Sequence, residues 1–164
     1  MRKEALNDKS LEELMALADE ISRGYFRQGL NCAECVLRTF MDIYEVDMPD
    51  TAICMATGFG GGMGHTKNTC GAITGAVLAL GLLKGRRDPF GPKEEMGARI
   101  KHLQGEIYPV FGEMIEEIEG HYGTLICKEM SAPFGDFEAK PRLKNCMEII
   151  AYCAQLTVKY AETK

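Results

Sequence analysis

The sequence contains no tryptophan, and only 8% of its 164 residues are aromatic. Basic charge is also scarce, since 19 Lys and Arg face 24 Asp and Glu and leave a net charge of −5. Nucleic-acid binding needs a basic face, so we expect no nucleic-acid partner. A chain that is 46% hydrophobic is neither disordered nor collagen-like. The length predicts a single domain over 1–164.

Long apolar runs are missing too. The longest charge-free apolar stretch, 70–83, has 14 residues, fewer than the ~18–20 that cross a bilayer. The opening letters MRKEALNDKS lack the apolar segment of a secretory signal. We therefore expect a cytoplasmic protein with no membrane insertion. Structural disulfides are rare there, so seven cysteines indicate metal, redox or catalytic chemistry, with some thiols simply buried.

No segment alternates like a strand, whereas apolar residues recur at helical spacing almost throughout. Ser10 and Glu13 predict a capping box at the start of the first helix, and Asn31 is placed to cap a second. A long helix is predicted from Pro92 or Lys93 to residue 120, and Pro109 is expected to kink or divide it. The pattern predicts an all-α, single-domain bundle of five to seven helices.

The segment 70–84 is apolar on all sides, which predicts a buried Gly/Ala-rich helix at the centre of this bundle. Asn68 or Thr69 is expected to cap it. Small residues at three positions four apart predict a face that another backbone can approach closely: Gly71, Gly75 and Ala79.

The glycine run GFGGGMG, residues 58–64, precedes this helix. It does not fit G-x-G-x-x-G, follows no strand and precedes no G-K-[ST], so nucleotide binding is not indicated. One interpretation is a loop that needs positive φ or tight packing. The other is a set of backbone N–H groups facing a cofactor or a sulfur site. His65, beside the run, either tunes a thiolate or is an exposed loop histidine. The cofactor interpretation selects Gly60, Gly61, Gly62 and Gly71.

Two cysteines are expected in the first turn of a helix, because Cys32 follows Asn31 and Cys70 follows Thr69. The helix dipole and free N–H groups lower the pKa of such thiols to roughly 3.5–7.5, from ~8.5. Cys35 completes a C-A-E-C motif with Cys32, which permits a short-loop disulfide or a two-thiolate metal clip. A thioredoxin-like motif would need a neighbouring βαβ pattern, and none is indicated.

The remaining cysteines divide into two groups. Cys127 lies in a short predicted helix, and Cys146, about one turn into the last helix, is positioned to point at the same place as Cys32 and Cys70. Cys153 lies among large apolar residues and is predicted to be core. Cys54, in a short apolar helix, receives the same interpretation.

The order of these motifs resembles a known family. Asn-Cys at 31–32, the glycine run, C-G-A-x-x-G at 70–75, G-x-x-x-C at 123–127 and a final cysteine at 146 follow the pattern of redox-active proteins named C_GCAxxG_C_C. The resemblance covers about 24–161. It implies a small helical protein with redox function, in which some relatives carry selenocysteine, and a redox partner protein. The signature cysteines it implies are Cys32, Cys70, Cys127 and Cys146.

A more distant similarity to split-Soret cytochromes implies an iron–sulfur centre. The chain lacks the haem attachment motif of those proteins, so no haem is expected.

Three hypotheses follow. In the first, a thiol oxidoreductase, Cys32 is the nucleophile, Cys70 or Cys35 resolves the intermediate, and Cys127 with Cys146 forms a second pair or a relay. In the second, the four signature cysteines hold an iron–sulfur cluster or zinc. In the third, the chain is a structural helical module whose small-residue helix forms a homodimer or partner interface.

Overall fold

The computed structural model describes residues 1–91 and 95–163, and the regular structure in this part is helical. The helices are α1 (Leu11–Arg27), α2 (Cys32–Ile43), α3 (Cys54–Thr57), α4 (Gly71–Lys84), α5 (Met96–His102), α6 (Tyr108–Tyr122), α7 (Cys127–Ser131) and α8 (Lys140–Glu162). Strand-like pairing in the described ranges is limited to two isolated bridges. The predicted all-α fold is confirmed.

Helices α5 and α6 are continuous through the π-helical turn Leu103–Ile107. The described residues therefore form seven helices, within the predicted five to seven. The predicted start at Pro92 or Lys93 lies outside the described residues. Before Pro109, the Tyr108 N–H bonds to the Leu103 oxygen five residues back. This register change accommodates a proline, which lacks an N–H and clashes with the carbonyl four residues earlier. The helix is therefore not divided at Pro109, and the change is a π-helical turn just before it, whereas a kink there stays a prediction.

Four helices, α1, α2, α4 and α8, form the body of the bundle. Arg23 pairs with Glu148 at 2.6 Å, and Gln155 donates to Asp19 at 3.0 Å. Since α1 numbers fall as α8 numbers rise, these two helices are antiparallel. Their apolar stripes meet in a core in which each fully buried large side chain contributes about 1.5–3 kcal/mol. Its largest members include Leu14, Phe40, Ile73, Leu80 and Ile150.

Helix starts follow the sequence closely. Both capping boxes are present, Ser10 with Glu13 and Asn31 with Glu34. The start of α4 differs from expectation, because Cys70 itself is the N-cap residue, and neither Asn68 nor Thr69 caps the helix.

The face of α4 that carries the small residues is buried, which confirms its central position. The opposite face is open, so the prediction of burial on all sides is wrong. Val77 is 36% exposed there. It borders an apolar groove of about 610 Å³ that Leu103 and Phe111 close from the other side. None of the helices in the described ranges has the length and apolar character required for a membrane crossing.

Candidate functional site

The four signature cysteines come from four different helices and meet at one end of the bundle. Cys32 is the first residue of α2, Cys70 caps α4, Cys127 is the first residue of α7, and Cys146 lies in the second turn of α8. These four residues form six pairs, and in each pair a negative charge on one sulfur would raise the pKa of a thiol in the same pair. We call these four residues the cysteine cluster.

A short antiparallel pairing of the chain brings α7 to the start of α4. The Cys70 N–H donates to the Leu125 oxygen at 2.9 Å, and the Cys127 N–H donates to the Asn68 oxygen at 2.7 Å. A third bond joins the Lys128 N–H to the Lys67 oxygen at 3.0 Å. These bonds fix Cys70 and Cys127 as neighbours, although 57 positions separate them in the sequence.

Glycines on α4 allow α2 to approach closely enough to place Cys32. A Cβ atom on Gly71 would overlap the Cys32 sulfur and lie 2.7 Å from the Phe59 carbonyl oxygen. A Cβ atom on Gly75 would lie 2.7 Å from the Ala33 carbonyl oxygen. The predicted face for close backbone approach is therefore confirmed at these two positions.

The glycine run continues into a left-handed turn. Residues 61–65 have consecutive φ angles of +63°, +74°, +60°, +61° and +64°. Glycine adopts this conformation freely, whereas at Met63 and His65 it lowers the stability of the fold by about 1–2 kcal/mol per residue. Such strain concentrates at functional sites.

The turn directs backbone toward the cluster. The N–H of Gly61 interacts with the Cys32 sulfur, and a Cβ on Gly60 would lie 2.9 Å from the Asn31 side chain. Both interpretations of the glycine run thus describe a real feature, positive φ and an N–H that faces sulfur. A cofactor-binding role for Gly60, Gly61, Gly62 and Gly71 stays a prediction.

Burial governs the acidity of these thiols. It raises the pKa of Cys32 despite the N–H groups of Gly61 and Ala33, which favour the thiolate. It also raises the pKa of Cys70 to about 12, against the N–H of Ala72. The predicted placement of both residues at helix starts is confirmed. The predicted lowering of their pKa is wrong, because desolvation of the charged form outweighs the helix terminus.

A small cavity of about 160 Å³ opens over part of the cluster. Cys32 and Cys146 line it, whereas Cys70 and Cys127 are only 6% and 5% exposed and lie behind them. The cluster therefore has an accessible pair and a buried pair. The other lining residues are Phe26, Asn31, Gly61, His65, Phe137, Glu138 and Arg142.

Sequence reasoning missed Arg142. Arg142 is only 7% exposed. Its guanidinium carbon lies 3.5 Å from the centroid of the Phe137 ring, and its Nε donates a hydrogen bond to the Ser131 hydroxyl at 3.4 Å. Burial raises the pKa of Cys146 to about 11, and the positive charge of Arg142 opposes that rise. The available signal was spacing, since residues four apart on a helix share a face.

The other candidate residues lie apart from the cavity or at its edge. The Cys35 thiol is fully buried and faces the Leu30 carbonyl oxygen at 3.5 Å. Cys153 is fully buried, so its predicted core position is confirmed. Cys54 is exposed, and its predicted burial is wrong, because its helix is a single turn at the surface. His65 is exposed, and its ring packs edge-on against the Phe137 ring, with 4.6 Å between the two ring centroids.

Metal binding is the second hypothesis for the cysteine cluster. Among residues 1–91 and 95–163, no three His, Cys, Asp or Glu side chains are grouped so that they could hold a metal ion. Metal binding by Cys32, Cys70, Cys127 and Cys146 stays a prediction.

Fold and site together define a class: an all-α protein whose cysteines gather at helix starts beside a glycine-rich turn. A family model described as "Putative redox-active protein (C_GCAxxG_C_C)" matches residues 30–160. The match covers most of the chain, and the chain belongs to this family of redox-active proteins. No curated protein and no solved structure matches it.

Proposed function

We propose that the protein is a thiol–disulfide oxidoreductase whose working pair is Cys32 and Cys146. The observation that supports this most is the division of the cluster, in which these two thiols line one solvent-reachable cavity. Cys35, a candidate from the C-A-E-C motif, faces a backbone carbonyl in the core and has no opening to that cavity.

Cys32 is the nucleophile. Its sulfur interacts with the N–H groups of Gly61 and Ala33, which stabilise negative charge there when the thiol ionises. Its thiolate attacks one sulfur of a substrate disulfide, the S–S bond breaks, and the first substrate thiolate leaves. Cys146 then loses its proton to solvent, and its thiolate attacks the Cys32 sulfur of the mixed disulfide. The second substrate thiolate leaves, and the two protein thiols have supplied two electrons.

Regeneration of the pair requires a reductant. A dithiol partner protein fills this role in the proposal, because it returns two electrons to the Cys32–Cys146 disulfide by the same exchange in reverse. Cys70 and Cys127 lie behind this pair. The proposal therefore gives Cys146 the resolving role that the sequence predicted for Cys70 or Cys35, in place of the second pair or relay predicted for Cys127 with Cys146.

A second candidate function, an iron–sulfur or zinc site at the same four cysteines, has one specific observation in its favour. Backbone N–H groups of Gly61 and Ala72 interact with the sulfurs of Cys32 and Cys70, and such N–H groups tune metal-bound thiolates. Without a group of three ligating side chains in the described residues, the four thiols would have to move closer together to hold a metal.

One experiment separates the two functions. The protein is purified without oxygen, iron, zinc and acid-labile sulfide are measured, and free thiols are titrated before and after mild oxidation. We expect no stoichiometric metal and the loss of thiols in pairs, with Cys32 joined to Cys146 in the peptide map. Cys32→Ser and Cys146→Ser should each abolish that pair. Cys54→Ser, which removes an exposed thiol outside the cluster, is the control. Stoichiometric iron and sulfide, or a map that lacks this pair, would contradict the proposal.

A further inference from the structure

A buried cation, Arg142, lines the cavity over Cys32 and Cys146. Arg142 is more than nine-tenths buried, and no carboxylate in residues 1–91 or 95–163 forms an ion pair with it. Its hydrogen bond to Ser131 uses Nε alone. Burying an arginine is costly unless something compensates its charge.

Arg142 lines the cavity, and only its Nε is bonded to a side chain of the described residues. Within the part of the chain that is described, every fully buried side-chain nitrogen or oxygen has a hydrogen-bond partner. The Arg142 Nη atoms bond no atom of residues 1–91 or 95–163, so they are not fully buried, and the cavity is an open space that Arg142 borders. Stacking on Phe137 at 3.5 Å holds the plane of the guanidinium, which leaves its edge for a ligand.

The charged groups around the opening do not neutralise Arg142. Glu138 lies on the rim, is exposed, and faces His65 with its carboxylate 3.8 Å from Nε2. Lys67 adds a second positive charge, since its Nζ lies 4.8 Å from the centroid of the Phe137 ring. The cavity therefore presents a fixed cation beside two thiols.

We propose that the substrate of this site is a small disulfide that carries a carboxylate, and that Arg142 binds the carboxylate so that a substrate sulfur meets Cys32. This inference rests on the proposed function and names its substrate class. A planar guanidinium pairs with a carboxylate through two parallel hydrogen bonds, which fixes orientation as well as position. A volume of about 160 Å³ equals that of roughly five liquid waters, which is enough for a small acid.

Two alkylating reagents test the inference directly, because iodoacetate and iodoacetamide differ little except in charge. Either reagent alkylates a thiolate and releases iodide. The rate at Cys32 is measured with each reagent by peptide mapping, in the wild type, Arg142→Gln and Arg142→Lys. We expect the ratio of the iodoacetate rate to the iodoacetamide rate to fall about tenfold or more in Arg142→Gln, the size of one hydrogen bond to a charged group. Arg142→Lys should retain part of the preference.

Lys67→Gln is the matched control, because it removes an exposed positive charge that contacts the same Phe137 ring. We expect its ratio to change by less than about twofold, the effect of a screened surface charge. An equal fall in Lys67→Gln and Arg142→Gln would overturn the inference, since it would reduce the effect to general surface charge.

A second measurement uses the wild type alone, in case Arg142→Gln does not fold. Mercaptoacetate, a small carboxylate thiol, should slow alkylation of Cys32 by the neutral reagent, whereas its neutral analogue 2-mercaptoethanol at the same concentration should not, once reagent consumption is corrected for. Equal protection by both compounds, or by neither, would count against a carboxylate site.

The outcomes also separate this inference from the proposed function. If Cys32 reacts with iodoacetamide and pairs with Cys146 on oxidation, yet shows no preference for the anionic reagent, the carboxylate site is wrong and the dithiol function stands. If the preference depends on Arg142 but no disulfide forms on oxidation, the anion site stands and the dithiol function is wrong.

Discussion

The two ends of α4 are built in different ways. At its start, backbone atoms and thiols are in contact, and Gly71 and Gly75 leave no room for a Cβ atom. Toward its other end, a Cβ atom on Gly81 would meet nothing within 4 Å. There the Lys84 Nζ donates an exposed hydrogen bond to the Thr163 carbonyl oxygen at 2.5 Å. The cluster end depends on what side chains are absent, and the far end on ordinary side-chain packing.

This difference indicates that the features which lower stability lie at the cluster end of α4. The far end keeps large aliphatic residues and the exposed groove, which tolerate small changes in volume. The cluster end combines a left-handed turn, buried thiols and the Arg142 cation, which has no ion pair with a carboxylate of residues 1–91 or 95–163. The left-handed turn and the buried cation each cost stability, and both lie beside the cavity.

The sharpest test substitutes alanine for glycine at each end of the same helix. In Gly71→Ala, the new methyl group overlaps the Cys32 sulfur and the Phe59 carbonyl. We expect the free energy of unfolding to fall by about 1–3 kcal/mol or more, and oxidation to lose its Cys32–Cys146 pair. Gly81→Ala should instead gain about 0.5–1 kcal/mol, because it replaces a helical glycine in open space.

Urea unfolding in the presence of a reductant measures both variants. If the two substitutions had effects of the same sign, the contrast between the two ends of α4 would not hold.

Alkaline pH should affect the cluster end first. Burial raises the pKa of Cys35 from 9.0 to about 12, so the unfolded thiol ionises before the folded one. The unfolded state then binds fewer protons, and stability falls as pH rises above 9, by up to about 1.4 kcal/mol per pH unit for each such thiol. Below pH 9 this contribution is present in full. The buried Tyr44 at the far end acts in the same direction only above pH 10.

Cys35→Ala should flatten the decline of stability between pH 9 and pH 10, relative to the wild type and to the exposed control Cys54→Ala. Unfolding curves in a non-thiol reductant at half-unit pH steps would show this. If the dependence of stability on pH were the same in Cys35→Ala as in the wild type, burial would not raise the pKa of Cys35.

Local features of both the fold and the site were predictable from the sequence. Caps depend on neighbouring residues, so Ser10 and Asn31 were identified correctly. The approach at Gly71 and Gly75 followed from small residues four apart, a spacing that one helix fixes on its own. The gathering of cysteines was anticipated because several began helices in a bundle of limited size.

Features that depend on other segments were not predictable. The lowered pKa expected for Cys32 and Cys70 considered the helix terminus and not burial, which only the packed bundle determines. Nothing in the sequence shows that Arg142, unlike the exposed charged residues, is buried, because its burial depends on contact with Phe137. The pairing that holds Cys127 beside Cys70 joins backbone groups, which leave no trace in the order of side chains.

The two capping boxes allow a finer comparison, since one lies at the cluster end and the other does not. Asn31 accepts from the N–H of Ala33 and of Glu34, and its amide also donates to the Thr57 carbonyl oxygen at 3.1 Å. We expect Asn31→Ala to cost about 2 kcal/mol, the upper part of the range for a cap, and to increase the alkylation rate of Cys32. Ser10→Ala, at an exposed cap, should cost about 1 kcal/mol and leave that rate unchanged.

Thermal unfolding and iodoacetamide kinetics on the same samples give both quantities. Equal effects on Cys32 from the two variants would show that Asn31 acts only as a cap.

The smallest expected effect is a gain at the left-handed turn. Met63 has a φ of +60° and an exposed side chain, so it packs little that would repay its strain. Met63→Gly should therefore stabilise the fold by up to about 1 kcal/mol, since glycine adopts this φ without penalty but loses more entropy on folding. Gly62→Ala is the opposite change in the same turn, and its Cβ would lie 2.7 Å from the Asn68 nitrogen, so it should destabilise. If Met63→Gly also destabilised the protein, the turn would owe its shape to the methionine side chain, and the positive φ of Met63 would not be a cost to stability at the cluster end.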